Sequence, residues 1–154
     1  MTFSDRIERT MLLPVPRGRV WDAVTKPEQI ARWFGVVSAM DFRVGGAIQF
    51  TWENELCPYP GMIEAIEPEH RFAFRWPSYA VGHPKVTFAT APSTLVEITL
   101  EDRADQTQLT LVESGFASLP QPIPAGEAYQ DNQRGWQACL SALHAYLQSQ
   151  VEAV

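Results

Sequence analysis

A chain of 154 residues, 45% hydrophobic and 19% charged, has the length and apolar content to bury a core without staples, and one domain over residues 1–154 is expected. Its net charge of −6, with 12 Lys and Arg scattered along the chain, leaves no basic cluster to neutralise phosphates, so nucleic acid is excluded as an expected partner. The N-terminal MTFSDRIERT lacks the basic-then-apolar order of a signal peptide, and no run approaches the roughly 18 apolar residues of a membrane span, so a cytoplasmic location is expected.

Residues Arg6 to Leu13 form the first predicted strand, stopped by Pro14 and Pro16, which cannot donate to a ladder. Val20, Trp21, Ala23 and Val24 then recur at helical spacing, which predicts a helix from Pro16 to near Thr25. Pro27 opens a second short helix with Glu28 in its first turn and Ile30, Trp33 and Phe34 on one side, closed by Gly35.

From Ser38 the period changes to two. Met40, Phe42 and Val44 lead into Gly45-Gly46, and Ile48, Phe50 and Trp52 return, which predicts a hairpin with one apolar face. Glu53 to Pro60 reads as a loop, and Gly61 to Ile66 as a strand ended by Pro68. The clearest alternation runs from His70 to Trp76, with Phe72, Phe74 and Trp76 on one face and Arg71, Ala73 and Arg75 on the other.

Pro77 to Ser93 reads as a long excursion with a brief VTF strand signal. Val96, Ile98 and Leu100, then Leu109 and Leu111, form another hairpin about the turn Arg103 to Gln106. A polar connection with prolines at 120, 122 and 124 leads into the strongest helix, Ala128 to Gln150. There Trp136, Leu140, Leu143 and Leu147 recur at i, i+4, i+7 and i+11, with Tyr129 on the same side, a stripe that must lie on a surface. Strands in hairpins followed by one long helix predict an α+β fold, an antiparallel sheet of about six or seven strands curled around the terminal helix, with two short helices after the first strand.

The stretches VWDAVTKPEQIARWF at 20–34, DFRVGG at 41–46, GMIEAIEPEHRFAFRW at 61–76, LTLVESGF at 109–116 and Gly135-Trp136 with Leu140, Leu143 and Leu147 resemble one known family. It is the activator-of-heat-shock-protein-90-ATPase homologue family, within the START-related, birch-pollen-allergen-like SRPBCC superfamily, and the resemblance covers nearly the whole chain. It implies a helix-grip fold, a curved antiparallel sheet holding the C-terminal helix with a cavity between. It also implies three functional expectations: an apolar or lipid-like ligand in that cavity, a stress-related role modulating a chaperone ATPase, or cyclase- or hydrolase-like catalysis. The eukaryotic co-chaperone has a separate N-terminal chaperone-binding region without a counterpart in these 154 residues, and the ligand expectation comes first because it needs only apolar residues that are present.

The aromatics Trp33, Phe34, Trp52, Phe72, Phe74 and Trp76, followed by Phe116 and Trp136, are placed near the sheet–helix interior, where with Leu140 they would bury an apolar ligand; plain core packing accounts for any one of them. Glu113, two residues beyond Leu111, turns to the same face, making it the candidate inward carboxylate and the candidate acid or base, with Tyr129 as its nearest hydroxyl. A rim glutamate touching water is the plainer reading of Glu113.

His83 is the second candidate acid or base, whereas solvated or hydrogen-bonded roles suffice for His70 and His144. The three histidines share no ligand spacing, and Cys57 and Cys139 form no CxxC pair, so neither metal nor cofactor is expected and both thiols are expected free. No nucleophile elbow, P-loop or dinucleotide fingerprint occurs. Gly135 inside the helix costs about 1 kcal/mol relative to Ala, so close approach of a neighbouring backbone or a ligand, or a kink, is expected there. Oligomeric state is left between monomer and homodimer.

Overall fold

The computed structural model describes residues 6–51, 59–76, 94–115 and 125–152. Strand β1 (Arg6–Leu13) is followed by helices α1 (Arg17–Thr25) and α2 (Pro27–Ile30), then by β2 (Val36–Met40), β3 (Ala47–Thr51) and β4 (Tyr59–Glu67). Strands β5 (Arg71–Trp76), β6 (Thr94–Arg103) and β7 (Gln106–Ser114) complete a seven-stranded sheet, and α3 (Ala125–Glu152) closes the chain. The strand order is β1-β7-β6-β5-β4-β3-β2, with every neighbouring pair antiparallel.

Alternation decides which face of this sheet is dry. Phe72, Phe74 and Trp76 of β5, Val96, Ile98 and Leu100 of β6, and Leu109 and Leu111 of β7 are all buried, as are Ile7 and Leu13 of β1. The predicted stripe of α3 meets that face: Trp136, Leu140, Leu143 and Leu147 are each exposed by no more than 3%. Burying these four side chains contributes on the order of 6 to 12 kcal/mol gross. This is the helix-grip architecture, with α3 held by the curved sheet.

Three expectations change. Helix α2 ends at Ile30, so Trp33 and Phe34 lie in the turn after it. That turn is fixed by the Trp33 indole, which donates to the Ala23 carbonyl of α1 at 2.8 Å, and by the Phe34 amide, which donates to the Ile30 carbonyl at 2.9 Å. Strand β2 ends at Met40, and Phe42 and Val44, expected on the apolar face, stand 45% and 60% exposed. Here the chain folds on itself before the alternation ends. The Asp41 amide donates to Ala47 O, and the Gly46 amide to Arg43 O. Gly45 takes φ +84°, and a Cβ on Gly46 would lie 2.0 Å from the Asp41 carbonyl oxygen. Finally, Tyr59 and Pro60, expected in a loop, open β4, where Pro60 pairs with Gln49.

A buried carboxylate beside an aromatic chamber

Strand β7 lies between β1 and β6, so each of its inward side chains has a neighbour on both sides. The cross-strand row through its end runs Ile63, Phe74, Val96, Glu113, Ile7. Four members of that row are apolar and buried, and the fifth is a carboxylate with no exposed surface. The rim reading of Glu113 is therefore overturned.

Burying such a group without partners would cost several kcal/mol. Three elements supply donors. The Trp76 indole of β5 donates to Oε2 at 2.9 Å, the Trp136 indole of α3 to Oε1 at 2.8 Å, and the Thr94 hydroxyl of β6 also bonds Oε2. Trp76 and Trp136 are 5% and 3% exposed, so Glu113 joins sheet to helix through bonds shielded from water.

The faces of those indoles belong to a cluster of rings. Phe34 lies parallel to Trp136, at 5.1 Å between centroids and 4° between planes. It meets Phe50 edge-on at 5.0 Å and Trp76 at 5.8 Å, while Phe50 and Phe74 extend the cluster across β3 and β5. Within it lies a cavity of about 10 Å³, lined by Val24, Ile30, Trp33, Phe34, Phe50, Phe72, Phe74, Ile98 and Trp136. That is about the space one water needs.

Of the residues singled out in the sequence, Trp33, Phe34, Phe72, Phe74 and Trp136 line this cavity. Trp76 stands beside it, 6.0 Å from Trp136, and Leu140 is buried core outside the lining. Trp52, His83, Phe116 and Cys57 lie outside the described residues, as does the side chain of Tyr129 expected beside Glu113. Thr94 and the lining residues Val24, Ile30, Phe50 and Ile98 were absent from the expected site. Thr94 carried a signal, because it precedes Val96, Ile98 and Leu100 in the same alternation.

Other candidates do not converge on this site. The His70 ring nitrogen Nδ1 lies 3.3 Å from the Arg17 guanidinium, in the turn before β5. Burial pushes the half-buried Cys139 thiol up to about 11. Among the described residues, a Cβ on Gly135 would meet nothing within 4 Å, so no neighbouring backbone crowds it there. Among the described residues no His, Cys, Asp and Glu side chains gather as a metal site, and no helix is long and apolar enough to cross a membrane.

The chain is similar to several solved structures. DynU16, a protein of the dynemicin biosynthetic locus, is 28% identical with a TM-score of 0.72 over 94% of this chain and 48% of that one, so this chain spans about half its length. CalU16 from Micromonospora echinospora is 25% identical, with a TM-score of 0.65 over 92% of this chain and 73% of the other. The Aha1 dimer from Colwellia psychrerythraea is 14% identical, with a TM-score of 0.69 over 92% and 95% of the two chains, a likeness of fold alone. A comparison with curated proteins finds no match. The pattern of one family, described as Activator of Hsp90 ATPase homolog 1-like protein, matches residues 14–148, and the chain belongs to that family.

Proposed function

We propose that this domain binds an apolar or lipid-like small molecule between the sheet and α3, with the aromatic chamber as its wall and Glu113 as a polar anchor. One observation carries the reading: a fully buried carboxylate held by donors from three elements at the edge of a cluster of aromatic rings. An apolar side chain in that row would serve packing alone at lower cost, whereas ligand sites pair apolar walls with a few fixed polar groups. That DynU16 comes from a biosynthetic locus supports a small-molecule partner. The cavity of about 10 Å³ found among the described residues is far smaller than any such ligand, so entry at that point displaces side chains of its wall.

Native mass spectrometry of freshly purified protein tests this reading. An added mass that organic extraction removes supports it, and the extracted compound should rebind with one-to-one stoichiometry. Failure of that compound, and of a panel of apolar molecules, to bind saturably would overturn it.

The family itself favours a second reading, modulation of a chaperone ATPase. It requires the protein to change the ATPase rate of the chaperone from its own host, and no change at saturating protein would remove it. Acid or base chemistry at Glu113 is the third, and it requires a turnover that Glu113→Gln abolishes.

A further inference from the structure

Among the described rings of the chamber, Phe34 differs in how it is held. Trp33, Phe50, Phe72, Phe74, Trp76 and Trp136 are exposed by 7% or less, whereas Phe34 is half-buried. Like Trp33, which however is buried with its indole bonded to the Ala23 carbonyl of α1, it belongs to neither the sheet nor a helix, being carried by the turn between α2 and β2. The ring it covers is fixed from the other side. Trp136 is anchored on α3 and its indole N–H is bonded to buried Glu113, so the plane of the indole is set by the sheet–helix interior. The parallel ring of Phe34, 4° off in plane with its centroid 5.1 Å away and delivered by a surface turn, covers one face of that fixed indole with a layer one ring thick. Phe50 meets the Phe34 ring edge-on from a third side, at 84°.

We infer that Phe34 is an internal stopper occupying the ligand's place on the face of Trp136, and that the ligand carries a flat unsaturated ring which takes that place. This deepens the proposed function and rests on it. The small size of the cavity among the described residues accords with this, since the Trp136 face is covered by the protein's own ring until a ligand displaces it. A flat ring keeps dispersion contact across the whole indole face, while a saturated ring of the same skeleton is thicker and puckered, touching that face with fewer atoms. Affinity is then reduced by the fraction of molecules in which the turn is closed, a tax that removing the Phe34 ring abolishes.

The experiment compares 2-naphthol with its saturated counterpart 2-decalol, by calorimetry and ligand-observed NMR, on the wild type, Phe34→Ala and the milder Phe34→Leu. Phe34→Ala is expected to bind 2-naphthol on the order of tenfold tighter than the wild type, with a clearly smaller gain for 2-decalol and Phe34→Leu between. In the wild type, bound 2-naphthol should show nuclear Overhauser contacts to the Trp136 ring while those between Phe34 and Trp136 weaken. That last measurement needs no substitution and stands if a variant fails to fold. Equal gains for the two probes, or a Phe34–Trp136 stack unchanged in the naphthol complex, would overturn the stopper and leave an apolar pocket standing. Binding of neither probe by any form would overturn the stopper, while the pocket itself falls only with the extracted compound and the wider panel of apolar molecules.

Discussion

The Trp136 indole N–H, on α3, donates to Oε1 of Glu113, on β7, across 2.8 Å, and this buried bond ties the helix to the sheet where the aromatic chamber begins. Replacing Trp136 with Phe keeps an aromatic ring for the Phe34 stack but removes the donor. The expected loss is about 1–3 kcal/mol in urea unfolding, the cost of leaving a buried acceptor one partner short. Combining it with Glu113→Leu should cost clearly less than the sum of the two single changes, because the partners share one network. Strict additivity would show that the bond does not couple them.

Two glycines should respond with opposite signs. Gly46→Ala forces a Cβ to within 2.0 Å of the Asp41 carbonyl oxygen in a turn closed by backbone hydrogen bonds, so the turn must open. A loss of roughly 1–3 kcal/mol is expected. At Gly135, exposed on α3 with open space around its Cβ position, alanine should stabilise by about 1 kcal/mol. Thermal unfolding of the two variants checks both signs.

Cys139 should be a slow thiol. With burial pushing its ionisation up to about 11, only about one molecule in a thousand carries the thiolate at pH 8. In a Cys57→Ser background, modification by a disulfide reagent should be much slower in the folded protein than in urea and should rise steeply toward pH 11. The linkage sign follows. Above the ordinary thiol range the unfolded chain has lost a proton that the folded chain keeps, so this group's contribution to stability falls as pH rises from about 9 to about 11. Urea titrations of this background and of one also carrying Cys139→Ala, at pH 8 and 10.5, isolate the effect.

What was legible in the sequence follows from the range of the forces involved. The bounds of β1, the inward triplet Phe72, Phe74, Trp76 and the α3 stripe are local periodicities, and all three stand as expected. The inward direction of Glu113 was equally local, read from Leu111 two residues earlier. Its depth was not, because that depends on β1 and β6 flanking β7, an order set by pairing with residues far away in sequence. The same limit hid Trp76 and Trp136 as its donors, although alternation and the helical stripe place both on the inward side. Phe42 and Val44 misled because alternation continued into a turn that only backbone bonds between Asp41 and Ala47 reveal. At Gly135 the expected neighbouring backbone is not found among the described residues, because a helix-interior glycine does not by itself say what stands beside it.

Central to this account is a small molecule sitting against Trp136, next to Glu113. The indole N–H resonances of Trp76 and Trp136 report that place directly, since both protons point at the Glu113 carboxylate. In a titration of nitrogen-15-labelled protein with 2-naphthol, both signals should shift saturably and together, while amides of the outward-facing Thr99 and Thr110 stay in place. Shifts confined to outward positions, or indole signals unmoved while the probe saturates, would contradict it.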